Sequence, residues 1–177
     1  MALTRLGLNQ AINLATNVTG TLPVANGGTA LTSGFVNGVA NPGKINQVQS
    51  GIVTADQSTS SSSYVSNFSV DITPSATSSK VLVIAHTGAL DTSTSGAEID
   101  CSIYRDSTNL TNYTRGGAAG RFESANRSLG NMSINLVDSP NSTSALSYGF
   151  YYKSPSSHTV FLNNDTFISL ILMEILA

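Results

Sequence analysis

Leu146-Ser147-Tyr148-Gly149-Phe150-Tyr151-Tyr152 places Leu146, Tyr148, Phe150 and Tyr152 at every second position, the clearest alternation in the chain. Successive side chains of a strand point to opposite faces, so a period of two marks a half-buried β-strand rather than a helix. Working outward, the same period recurs. Phe68, Val70 and Ile72 share one face of a run from Val65 to Thr73, and Ile99, Cys101 and Ile103 share one side of a run from Ala97 to Arg105. Met132, Ile134 and Leu136 stay in phase between Asn131 and Val137. Lys80-Val81-Leu82-Val83-Ile84-Ala85-His86-Thr87 is a continuous apolar β run and reads as a central strand. Runs at Ile45–Thr54, Thr108–Thr114, His158–Leu162 and Phe167–Ile175 complete a set of nine. Turn residues separate them, including the serine run Ser58 and Ser60 to Ser63, Pro74 to Ser79, Asp91 to Gly96, Asp106-Ser107 and the Gly-rich Gly116-Gly117-Ala118-Ala119-Gly120. Short strands at regular spacing with no convincing helix between them predict an all-β fold, an antiparallel β-sandwich or jelly roll.

The pattern starts at residue 45. Residues 1–44 contain no acid and only Arg5 and Lys44, with Gly20, Gly27, Gly28, Gly34, Gly38, Gly43, Pro23 and Pro42 interrupting any long element. Leu3, Leu6, Ala11, Leu14 and Val18 fit a short helix, and an extended arm fits as well. Such a segment cannot bury enough surface to fold alone. The chain therefore divides into an N-terminal arm, 1–44, and a β head, 45–177.

Composition limits function. Of 177 residues 10% are charged, with a net charge of −2, whereas Ser, Thr and Asn together make up about a third of the chain. Eight scattered basic residues supply no patch for nucleic acid. No stretch of 18 apolar residues exists to cross a bilayer, and the N-terminus lacks the apolar core of a signal peptide. The single Cys101 reads as a small buried hydrophobe. His86 and His158 stand apart without metal-ligand spacing, no nucleophile elbow or phosphate loop is present, and no catalytic residue, cofactor or metal is expected.

Three features carry alternatives. Glu98 and Asp100 share one strand face, close enough for glycoside hydrolysis or, with loop carbonyls, for calcium. The plainer reading is a solvated face opposite Ile99 and Cys101. Arg115, Arg121 and Arg127 flank the Gly-rich loop and suit a ligand-facing loop for anionic polysaccharide, or else solvated arginines and intersubunit ion pairs. The Tyr148–Tyr152 strand offers aromatic faces to sugars, or forms a core or subunit-interface face.

The arm segment Asn17-Val18-Thr19-Gly20-Thr21-Leu22-Pro23-Val24-Ala25-Asn26-Gly27-Gly28-Thr29 resembles a GTLPVANGGTG sequence found in bacteriophage tail-fibre and related virion proteins, with Ala30 in place of the last glycine. Ser69 to Ser75, Ser78 to Val83, Leu136 to Pro140 and Ile168 to Ile175 resemble the β-rich head of such fibres. The resemblance implies a virion protein, assembled in the host cytoplasm, that forms a homotrimer. Leu14, Val18, Leu22, Pro23, Val24, Asn26, Gly27 and Gly28 are then the anchor towards other virion proteins of tail or capsid. Two roles follow as expectations: attachment to host-surface polysaccharide as a short fibre, or decoration of the capsid. The resemblance brings no catalytic residues.

Overall fold

A computed structural model describes residues 44–92, 94–123, 130–162 and 166–176. Those residues contain no helix and twelve strands: β1 (Ile45–Val53), β2 (Gln57–Thr59), β3 (Val65–Ile72), β4 (Lys80–His86), β5 (Leu90–Thr92), β6 (Glu98–Arg105), β7 (Thr108–Asn109), β8 (Ala118–Arg121), β9 (Ser133–Asp138), β10 (Leu146–Lys153), β11 (Val160–Leu162) and β12 (Ile168–Ile175). All of the strand pairings are antiparallel.

One sheet has the order β1-β12-β4-β9. A second has the order β3-β10-β6, and the free edge of β6 carries β7 near its end and β8 near its start. Neighbours far apart in sequence interleave in both sheets, which is the strand order of a jelly roll. A third sheet, β2-β11-β5, is built from the segments that follow β1, β10 and β4.

The inner faces make one core. Tyr148, Phe150 and Tyr152 of β10 pack with Ile99, Cys101 and Ile103 of β6, Val81 and Val83 of β4, and Ile168, Leu170 and Leu172 of β12, all buried. The alternation that decided the fold class is therefore the inward row of a central strand. Burying such side chains is worth about 1.5–3 kcal/mol each, and the period of two fixes the register because a one-residue slip would turn the row to solvent.

Nine strands were expected and three more are present. β2 takes Ser58, β5 takes Asp91, and β8 takes the end of the Gly-rich stretch, all read from sequence as loop. Each has only three or four residues, too few for a period, and each gains its hydrogen bonds from a longer or distant partner. Conversely, the run from Thr108 to Thr114 is strand only at Thr108–Asn109. Beyond it the chain bulges along the edge of β6, where Leu110 N donates to Ile103 O, Gly117 N donates to Cys101 O and Thr111 Oγ1 accepts from Ile103 N.

The sandwich formed by the described residues has two unlike ends. Ile45, Ile175 and Lys80 lie side by side at the base, and Leu176 N donates to Lys44 O there. At the other end Val53 pairs with Ile168 and Ser169 with His86, and the chain passes into the small third sheet. The anchor residues from Leu14 to Gly28 lie outside the described residues.

Candidate functional site

At the apex, the third sheet brings Ser58, Phe161 and Asp91 into one cross-strand row. With Asp56 and Gln57 they line an open cleft of about 260 Å³. Asp91 is buried and accepts from Thr92 N. Four of the five lining residues are polar and the fifth is aromatic, a lining chemically suited to a polyol. A second cleft of about 300 Å³ lies between His86, Gly88, Ala89, Gly130, Asn131, Thr166 and Phe167. Here His86 Nδ1 accepts from Gly88 N, and the ring tilts against Phe167 at 6.2 Å.

The outer side of β6 and β10 holds a charge network. Glu98 and Asp100 do share a face, as their spacing predicts, but that face is not solvated at Asp100. Asp100 is 0% exposed, its Oδ1 accepts from Arg115 Nε at 2.6 Å, and its Oδ2 faces Lys153 Nζ at 3.6 Å. Arg115 also reaches Glu98 at 3.4 Å, and Arg121 pairs with Glu123 at 3.0 Å. A buried carboxylate is costly unless paired, and two cations lie beside this one. The guanidinium of Arg115, expected at a ligand-facing loop, is thus engaged within the chain; Arg127 lies outside the described residues.

Tyrosines frame the network. Tyr104 stacks on Tyr151 at 4.1 Å, Tyr64 meets Tyr104 edge-on, and Lys153 Nζ sits 4.6 Å over the Tyr64 ring. Burial, with the Asp100 charge adding to it, pushes the Tyr64 phenol up to about 12. Gly116 closes the site in the left-handed region at φ +69°, where a Cβ would stand 2.5 Å from Tyr64 Oη. Sequence reasoning singled out the other tyrosines of this strand: Tyr148 and Tyr152 point into the core, while Tyr151 points out. Nothing local marks Tyr64 or Lys153 as partners, because the pairing joins residues far apart in the chain.

Burial pushes the Cys101 thiol up, and Asp100 adds to the rise, so the sulfur stays protonated in the core. His158 is half-buried. Among the described residues no three His, Cys, Asp or Glu side chains gather as a metal site.

The outer face of β1-β12-β4-β9 differs from both. Val48, Met173, Leu82 and Val137 form one row across all four strands, and Ser50, Ile171, Ile84 and Asn135 form the next. Among the described residues this face carries no acid, and its sole full charge is Lys80 at a basal corner. Val48 is 51% exposed, Ile52 64% and Val137 56%. The unalternating apolar runs of β4 and β12 were its sequence signal, since a strand apolar on both faces is built to be covered on both.

No protein-family model matches the chain, and no curated protein does. Among solved structures it is similar, at 15% identity and a TM-score of 0.39, to a chain of infectious bursal disease virus strain Gt, covering 75% of this chain and 39% of that one. The VP2 subviral particle of infectious bursal disease virus is similar over 89% of this chain and 42% of its own, again at 15% identity and a TM-score of 0.39. This chain spans about two fifths of the length of those proteins.

Proposed function

We propose that this chain is a non-enzymatic structural protein of a bacteriophage particle, a short fibre whose N-terminal arm anchors it and whose β head attaches to the host surface. The observation that carries this reading is the polarity of the head. Lys44, the residue through which the arm joins, lies at the base, and the third sheet with its polar cleft lies at the opposite end. A chain held at its base presents its apex outward. The arm's likeness to fibre sequences supports an anchor in a particle, and the Asp56–Gln57–Ser58 edge of the cleft supports a hydroxyl-rich ligand such as a surface polysaccharide. A rigid sandwich carrying its ligand groups on end loops is a common division of labour in β proteins.

The test is competition. Purified full chain, added in excess to host cells, is expected to block adsorption of the phage that encodes it. The apical variant Asp56→Asn is expected to lose this block, and Thr143→Ala, at an exposed position in the basal β9–β10 connection, to keep it. Adsorption undiminished by excess native protein overturns the attachment role.

A further inference from the structure

We infer that the second cleft, lined by His86, Asn131, Thr166 and Phe167 among others, is a further subsite for the apical ligand, and that this ligand is an uncharged, extended oligosaccharide that reaches both clefts. The inference rests on the attachment reading and narrows it.

Continuity joins the two clefts. Asp91 lines the first and Ala89 the second, and two positions along a strand span at most about 7 Å. Leu90 between them is buried and held on both sides. It pairs with Leu162 of β11, and its N donates to Gly130 O in the wall of the second cleft. Each cleft also has its own aromatic ring, Phe161 in the first and Phe167, 49% exposed, in the second. Volumes of about 260 and 300 Å³ are small beside ligand pockets of about 300–1,000 Å³. Either cleft alone takes a short piece of a polymer. A chain that engages both gains the second contact at high effective concentration.

The linings select the charge of the ligand. Neither contains Lys or Arg; the first holds Asp56 and Asp91, and the second holds no acid. An anionic polysaccharide would meet two like charges with no cation in the lining to offset them. Arg115, expected from sequence to face such a ligand, is engaged with Asp100 and Glu98. Aromatic rings beside amide, hydroxyl and imidazole groups suit the apolar faces and hydroxyls of an uncharged sugar. Packing also leaves the space open. Gly88, at φ +67°, lies so close to the Phe167 backbone that a Cβ there would stand 2.5 Å from the Phe167 carbonyl oxygen. A Cβ on Gly130 meets nothing within 4 Å among the described residues, and its φ lies outside the left-handed region. A side chain at position 130 can therefore fill the cleft without straining the backbone.

Calorimetric titration of the full chain tests this, with size-fractionated fragments of the host surface polysaccharide separated into uncharged and anionic pools. The uncharged pool is expected to bind, with affinity rising with fragment length until both clefts are filled. Gly130→Trp is expected to lose at least tenfold in affinity for long fragments and to bind the shortest ones as the native chain does. Affinity independent of length, a rise that survives Gly130→Trp, or tighter binding of the anionic pool overturns the inference and leaves attachment standing. Binding of neither pool overturns the attachment reading as well. Should Gly130→Trp fail to fold, Phe167→Ala removes the ring of the same cleft and is expected to show the same selective loss.

Discussion

Tyr148 Oη donates a 2.7 Å hydrogen bond to Asp138 Oδ2, tying the second sheet of the sandwich to the first near its base. Arg105 Nη1 reaches the same oxygen at 2.6 Å, so β6, β9 and β10 converge on one carboxylate. Tyr148 is otherwise a core side chain. Tyr148→Phe keeps the ring and removes only the donor, at an expected cost of about 1–2 kcal/mol, with Arg105 still satisfying Asp138. Urea denaturation measures it; an unchanged midpoint would show that the bond adds nothing to the joining of the sheets.

The buried phenols make the fold sensitive to alkali. Burial raises Tyr148, helped by the Asp138 hydrogen bond and charge, and burial also raises Tyr152 and takes Tyr64 to about 12. In the unfolded chain a tyrosine titrates near 10. The folded state therefore holds these protons more tightly, and their contribution is complete below about pH 10; that of Tyr64 is lost as pH climbs through about 12, and those of Tyr148 and Tyr152 are lost above their ordinary value. By absorbance at 295 nm these three phenols are expected to stay protonated well above pH 10 and to ionise together with unfolding. Ionisation of Tyr64, Tyr148 and Tyr152 near pH 10 with native circular dichroism would contradict the burial argument.

Acid acts at the base. Burial opposes the charge of Glu174, and hydrogen bonds outweigh it: Asn46 and Gln47 donate to Oε2, while the backbone N and Oγ of Ser75 donate to Oε1, bringing the carboxyl down to about 2. Its folded value lies below the unfolded one, so its contribution is complete above about pH 4.5 and lost as pH falls through 2. Glu174→Gln is expected to cost about 1–3 kcal/mol at pH 7. The gap between the two proteins in thermal melts is expected to close between pH 4.5 and 2. A gap independent of pH would mean that the charge is not what holds β1 to the β3–β4 turn.

The two described arginines of the Gly-rich stretch are expected to behave differently. Arg115→Ala leaves the buried Asp100 with Lys153 as its remaining nearby cation, an expected loss of about 2 kcal/mol after allowing for the half-exposed guanidinium. Arg121 is 59% exposed and its partner Glu123 78%, so Arg121→Ala is expected to stay within about 0.5 kcal/mol of native. Equal effects in denaturant melts would contradict the assignment of Arg115 to the structural network.

The physical reasons for what the sequence reveals are visible in these residues. Leu146, Tyr148, Phe150 and Tyr152 announce a strand because each obeys a local rule, the period of two. β2 and β5 do not, since three residues cannot show a period and their partner β11 lies about 70 to 100 positions onward. Asp100 has the look of a solvent-facing acid on its own strand; only the folded chain shows Arg115 and Lys153 closing over it. The base-to-apex polarity was likewise out of reach, because it follows from strand order rather than from strand pattern.

The central claim, a head held at its base in a particle with its apex turned to the host, is tested most directly by cryo-electron microscopy of the intact phage without imposed symmetry. The account expects the jelly roll on the tail, with the Lys44 end against the particle and the β2-β11-β5 sheet outermost. Jelly rolls repeated at icosahedral positions over the capsid, or a head with its apex turned inward, would contradict it.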